Sequence, residues 1–182
     1  MNALGSNDVI TLGGGCFWCL EAVYLQVRGV LSVESGYSNG QVQQPTYEAV
    51  CSGSTGCAEV VQLKFDTARI SLSEILDVFF LIHDPTTLNR QGHDVGSQYR
   101  SGIYVHSPQQ AQEVNEYVQR LERQAVYADP IVTEVLPLAH YWPAEPYHQN
   151  YYARNPYQGY CVHVVGPKVD KLRRSLARLT AS

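Results

Sequence analysis

Three consecutive glycines, Gly13-Gly14-Gly15, stand between a short apolar run and a helical pattern, and they dictate the local fold on both sides. Asp8 to Leu12 reads as a strand. Apolar residues then recur at Phe17, Leu20, Tyr24 and Val27, the spacing of one helix face. A strand halted by glycine and resumed as a helix places Cys16 at or beside the first turn. Free N–H groups and the partial positive charge there favour thiolate over thiol, so the Cys16 pKa is expected to fall. The glycines also let a second molecule approach the backbone closely.

The remaining pattern is that of strands and helices sharing one core. Gly29 closes the first helix, and Val30 to Tyr37 reads as a strand. Residues 38–56 are rich in Ser, Asn, Gly, Gln and Thr and are expected to form a loop. From Cys57 to Phe65 a strand alternates, with Glu59, Val61, Leu63 and Phe65 on one face and Val60, Gln62 and Lys64 on the other. Glu59 thus falls on an apolar face, a costly place for a charged carboxylate. Ser71 and Glu74 make a capping box for a helix whose Leu72, Ile75, Leu76, Phe79 and Phe80 form a core stripe. Asp84-Pro85 stops it. The polar stretch 84–100 is too long for an idle connector.

Gly102 to His106 is expected to be a strand. Ser107-Pro108 opens a helix carrying Ala111, Val114, Val118, Leu121 and Ala125 on one side, and Ile131 to Leu136 reads as another strand. Residues 140–160 are rich in tyrosine and broken by Pro143, Pro146 and Pro156. Pro167 to Leu179 reads as a terminal helix. A chain of 182 residues can bury one sizeable core and is short for two. The expected fold is α+β: a single catalytic domain over residues 1–182, a mixed sheet with helices packed on it in two layers around a ferredoxin-like core. A long irregular C-terminal tract completes it, with flexible ends at 1–7 and about 178–182.

A net charge of −4 offers no electrostatic footprint for nucleic acid. The basic cluster Lys168, Lys171, Arg173, Arg174 and Arg178 reads as the solvated face of the last helix. The first eight residues lack the charged start and apolar run of a secretory signal. The longest apolar stretch, Val78 to Ile82, is too short to cross a bilayer. A cytoplasmic protein with no membrane partner is the resulting expectation, and a monomer the plain one. In a reducing compartment the five cysteines, Cys16, Cys19, Cys51, Cys57 and Cys161, are catalytic, redox-active or buried rather than a disulfide framework. Cys16 and Cys19 could be a dithiol redox pair, although Phe-Trp between them is bulky. Half of a zinc site is the weaker reading, because no second Cys-x-x-Cys or His pair exists, and no metal is expected.

Gly15-Cys16-Phe17-Trp18 resembles the active-site signature of the methionine sulfoxide reductase A family. Further blocks resemble the family in order: Gly36-Tyr37, Pro45-Thr46-Tyr47-Glu48, and Val50-Cys51-Ser52-Gly53-Ser54-Thr55-Gly56 with Ala58-Glu59-Val60-Val61. Then come His83 to Gly92, Asp94-Val95-Gly96-Ser97-Gln98-Tyr99-Arg100-Ser101, and Pro143-Ala144-Glu145 with Tyr147-His148-Gln149. They span about Thr11 to Cys161. The resemblance implies reduction of the S epimer of methionine sulfoxide, free or in oxidised proteins, to methionine. It assigns Cys16 as the nucleophile toward sulfur, Glu59 as the acid that protonates the departing oxygen, and Tyr37 and Tyr99 as hydrogen-bond donors to that oxygen. Asp94 organises the polar side, and Phe17 and Trp18 hold the S-methyl group. An acid on an apolar face should have a raised pKa, which suits that task.

By the same resemblance, Cys16 is left as a sulfenic acid that condenses with Cys161, in the flexible-looking tract from Asn155, and thioredoxin reduces the disulfide. No organic cofactor is implied, and dithiothreitol can replace thioredoxin. The family usually carries His where this chain has Cys57. Strand alternation puts Cys57 on the face of Glu59, so Cys57 and Cys19 are alternative resolving thiols; Cys51 reads as structural. On the residues alone, two rivals stand beside the reductase: a general dithiol–disulfide oxidoreductase using Cys16 and Cys19, and a non-catalytic module that captures oxidised methionine.

Overall fold

The computed structural model describes residues 6–181; residues 1–5 of the expected N-terminal end lie outside the described residues. In chain order the first elements are β1 (Asn7–Gly13), α1 (Phe17–Tyr24), β2 (Val30–Ser38), α2 (Tyr47–Cys51), β3 (Ala58–Asp66) and α3 (Leu72–Ile82). Next come β4 (Arg90–Gln91), β5 (Asp94–Val95), β6 (Gly102–Val105), α4 (Pro108–Arg123) and β7 (Glu134–Pro137). The chain finishes with β8 (Trp142–Pro143), α5 (Tyr151–Arg154) and α6 (Gly166–Ser175). The main sheet runs in the order β7-β6-β1-β3-β2-β8. Only β6 and β7 pair in parallel, so the sheet is mixed. The inner order β6-β1-β3-β2, with α1 and α3 as crossovers, is the ferredoxin-like arrangement.

One buried cluster holds the fold together. It joins Ile10, Leu12, Val61, Leu63 and Phe65 of the sheet to Phe17, Leu20 and Val23 of α1, Ile75 and Phe79 of α3, and Val169 and Leu172 of α6. The opposite sheet face carries a smaller cluster of Ala58, Val60 and Tyr104 against Leu138 and Tyr141. The alternation of β3 therefore divides its residues between two environments, and Glu59 lies on the face of the larger core.

Several boundaries differ from the sequence expectation. Helix α1 stops at Tyr24, because the turn 25–29 needs Gly29 at φ 92°, and a side chain there would meet Ile70. The expected loop 38–56 contains α2, whose five residues are too few to show periodicity; the Thr46 hydroxyl caps it, accepting the Ala49 N–H at 3.2 Å. The stretch 84–100 folds into the β4–β5 hairpin and a single 3₁₀ turn, Ser97–Tyr99. The C-terminal helical run starts before Pro167, with a π-helical turn at Cys161–Val165 leading into α6. Residues 178–181 are packed rather than loose. Leu179 is buried, its carbonyl accepts the Arg28 N–H at 2.7 Å, and Ala181 N–H reaches Gln26 at 2.7 Å. The turn after α1 has exposed backbone groups to satisfy, and the chain end satisfies them.

Among the described residues no helix is long and apolar enough to cross a membrane. Helix α3 has the complete reciprocal cap, with Glu74 N–H to Ser71 Oγ at 3.1 Å and Ser71 N–H to Glu74 Oε1 at 3.2 Å. Ser71→Ala should cost about 1 kcal/mol, read as a lower urea midpoint at unchanged m-value; an unchanged midpoint would show that the cap contributes nothing.

Candidate active site

Cys16 is the N-cap of α1, in extended backbone conformation, and is only slightly exposed. Gly15, at φ 92°, turns the chain into it, and a side chain on Gly15 would collide with Gln91. The next N–H, that of Phe17, donates to Glu59 Oε1 at 3.1 Å. Glu59 Oε2 is buried and has no hydrogen-bond partner among the described residues. Burial pushes the Glu59 carboxyl up to about 8, opposed by the Phe17 N–H and assisted by the charges of Asp94 and Cys19. A protonated acid with one free oxygen thus sits beside the candidate nucleophile.

The sulfur chemistry differs from the expectation for Cys16. Burial, the hydrogen bond to Cys19 and the nearby Glu59 raise the Cys16 thiol well above its ordinary value. Desolvation outweighs the helix start, because a charge in a dry site loses more hydration than a partial dipole returns. The same hydrogen bond from Cys16 pulls Cys19 down to about 7 against its own burial, with help from Lys168 and Tyr160. The Cys16–Cys19 pair therefore gives up its first proton near neutrality.

The aromatic wall is built by α1 and the tract after β8. Trp18 stacks on Tyr151 with ring centroids 3.8 Å apart and planes 5° apart, and its indole N–H donates to His148 Nδ1 at 3.1 Å. Phe17 contacts Tyr37, Tyr47 and His148. On the polar side Tyr160 donates to Asp94 Oδ2 at 2.6 Å, and its oxygen lies 3.7 Å from Cys19 Sγ. Tyr99 ends its 3₁₀ turn half-buried, with its hydroxyl raised by burial and by the charge of Glu59. Arg100 holds that turn by donating to Ser97 and Asn39 carbonyls and pairing with Glu134.

Three expected site residues lie in surroundings other than those expected. Tyr37 is fully buried and its hydroxyl donates to Glu145 Oε1 at 2.8 Å, so its one hydrogen is already committed. Tyr47 stacks near Phe17 at the start of α2, and burial followed by the Glu59 charge raises its hydroxyl. Sequence reasoning passed over Tyr47, although Thr46 as a cap was a signal that its side chain is fixed. Cys57 precedes β3 rather than belonging to it, and its sulfur packs over Gly40 and beside the Thr55 carbonyl. Cys161 is in a helical turn and fully buried, not in a loose tract; its N–H donates to Gln158 Oε1 at 3.2 Å. Burial raises its thiol, and the next contribution is the charge of Cys19. Cys51 sits exposed at the end of α2, where its carbonyl accepts from Gln98. Among the described residues no group of three or more His, Cys, Asp or Glu is arranged to hold a metal.

A thiol at a helix start beside a buried, protonated carboxyl is the arrangement of a thiol-dependent enzyme. The family model described as peptide methionine sulfoxide reductase matches residues 8–179. A relative described as "Peptide methionine sulfoxide reductase MsrA", from Polynucleobacter asymbioticus, is 55% identical over 171 residues, covering 94% of this chain and 90% of that one. The solved structure of Mxr1 from Saccharomyces cerevisiae in reduced form has a TM-score of 0.79 at 36% identity, covering 87% of this chain and 91% of that chain. Mxr1 in complex with Trx2 has a TM-score of 0.55 at 25% identity, covering 82% and 87%. The chain belongs to the peptide methionine sulfoxide reductase family and is an oxidoreductase.

The two shifted groups set a pH window. Between about 7 and about 8 the thiol pair has lost a proton while Glu59 keeps its own, the combination a thiolate attack with Glu59 as acid would need. Single-turnover methionine release should therefore rise towards 7 and fall above 8. A rate that stays flat to pH 10 would remove Glu59 as the acid.

Proposed function

We propose that the chain reduces methionine S-sulfoxide through Cys16, with Glu59 as the proton donor. The observation that carries this reading is the unpartnered Oε2 of Glu59, buried one peptide away from the nucleophile. Cys16 sulfur attacks the sulfoxide sulfur and Glu59 gives its proton to the oxygen. The protonated oxygen passes from the substrate sulfur to Cys16 sulfur as both the substrate's sulfur–oxygen bond and the new sulfur–sulfur bond break, so methionine leaves as the sulfide and Cys16 is left as sulfenic acid. Tyr47 and Tyr99 donate hydrogen bonds to the oxygen, while Phe17 and Trp18 receive the S-methyl group. Donors on one side and aromatic faces on the other distinguish the two epimers. Asp94 acts through Tyr160, which it anchors beside Cys19.

Resolution runs through two thiols in this reading. Cys19, three residues on and the thiol whose proton is lost first, displaces the sulfenic hydroxyl as water and closes a Cys16–Cys19 disulfide. Cys161 then attacks Cys19 sulfur, freeing Cys16 and carrying the disulfide to the C-terminal helix. The Mxr1–Trx2 complex supports thioredoxin as the reductant of that last disulfide; dithiothreitol serves in its place, and no further cofactor enters. Every group named comes from one chain, so a monomer suffices.

Cys16→Ser should abolish sulfoxide reduction, and Tyr47→Phe should slow it by about tenfold, the worth of one transition-state hydrogen bond. Wild type should consume the S epimer alone with dithiothreitol. Equal consumption of both epimers would favour the general dithiol reading, and binding without turnover the capture module. Cys161→Ser should release about one methionine per enzyme, stall with a Cys16–Cys19 disulfide seen by peptide mass mapping, and not recycle with thioredoxin. Thioredoxin-dependent cycling at the wild-type rate would take Cys161 out of the route.

A further inference from the structure

His148 takes no part in the steps above, yet it is fully buried at the centre of the aromatic wall. Its ring lies 4.4 Å from that of Tyr47, 5.0 Å from Phe17 and 4.0 Å from Tyr147. Because Nδ1 accepts the Trp18 indole N–H, it carries a lone pair, and the neutral ring must hold its proton on Nε2. Nε2 has no hydrogen-bond partner among the described residues. The single polar contact that His148's ring makes is therefore the one to Trp18.

The backbone around His148 is clamped on both sides. Its own N–H reaches the Glu145 carbonyl at 3.0 Å. The Gln149 side chain exchanges two hydrogen bonds with Ser35 of β2, at 3.0 and 2.9 Å. The Asn150 N–H donates to Glu21 Oε1 of α1 at 2.5 Å. An acceptor held this firmly can fix what it touches. The same tract supplies Tyr151, which covers one face of Trp18. Stacking alone leaves an indole free to slide and rotate in its plane; the N–H bond removes that freedom.

We propose that His148 is a positioning residue: its neutral imidazole holds the Trp18 ring in the orientation that receives the substrate's S-methyl group. This rests on the reading of Trp18 as a wall of the methyl pocket. A protonated imidazole would present an N–H to the indole N–H and release the ring. Glu48 and Tyr47 on α2, and Glu145 and Tyr147 on its own turn, are the titratable groups that face it; α1 presents Phe17 and Trp18. Burial holds the imidazole below its ordinary pKa, and Glu145 and Glu48 oppose that only in part. The ring is therefore neutral at the pH where the thiol pair and Glu59 are both competent.

The test uses the full chain labelled with ¹⁵N-tryptophan, with Trp142→Phe assigning the two indole resonances. His148→Phe keeps a ring and removes the acceptor; His148→Asn places an amide oxygen where Nδ1 was. The Trp18 indole N–H signal should move upfield in His148→Phe and return in His148→Asn. KM for the sulfoxide should rise about five- to tenfold in the first, the loss of one hydrogen bond, with kcat changed less, and recover in the second. In wild type, lowering the pH through the imidazole titration should move the same signal, which needs no variant to fold. An indole signal indifferent to both substitution and pH overturns the proposal, and so does a moved signal with unchanged KM. The signal is read without substrate, so its failure is separable from a wild type that reduces no sulfoxide.

Discussion

The hydrogen bond from Phe17 N–H to Glu59 ties the first turn of α1 to the central strand of the sheet, and the site is organised around it. A carboxyl under a helix start would ordinarily ionise and be stabilised by the free N–H groups there. Here only one N–H reaches it, the rest of its surroundings are dry, and burial wins. The acid is left protonated with one oxygen unpartnered. The same dryness raises the Cys16 thiol well above its ordinary value, while the hydrogen bond from Cys16 makes its neighbour Cys19 the better holder of negative charge. Acid and thiol are thus tuned by one cause, the exclusion of water from the space beneath the glycine turn.

The irregular tract after β8 completes the site. It has little regular structure of its own, so its position comes from side-chain hydrogen bonds: Gln149 to the β2 backbone, Glu21 to the Asn150 N–H, and Glu145 to both the Tyr37 hydroxyl and the Tyr47 N–H. These contacts place His148, Tyr151 and Tyr160 around Trp18 and Cys19. Polar groups that would be costly if buried alone are paired across the tract, and this gives an irregular segment a defined place.

Much of this was legible in the chain itself. The glycine run and the helical spacing after it located Cys16 at a helix start. The alternation of β3 marked Glu59 as an acid on a core face. The capping box at Ser71 fixed where α3 begins, because a cap is a local hydrogen bond between residues three apart. Features confined to a few neighbouring residues are set by local sterics and periodicity, and a sequence displays both. Helix α2 escaped notice because five residues carry no period, and the packed chain end did so because its partners are 150 residues away in sequence.

Which hydroxyls and thiols serve the reaction was a different kind of question. Tyr37 and Tyr47 are equally plausible donors on paper; that the Tyr37 hydroxyl is committed to Glu145 is visible only in the fold. Cys57 and Glu59 share a parity in sequence, yet the strand begins one residue later, and Cys57 turns to Gly40. The sequence by itself displayed a cysteine at a helix start, an acid on a core face and the order of strands and helices of an α+β domain, since these follow from local pattern. Tertiary structure alone decided the commitment of Tyr37 to Glu145, the place of Cys57 against Gly40 and the hydrogen bond between Trp18 and His148. Those depend on which distant groups meet, and on how completely their meeting excludes water.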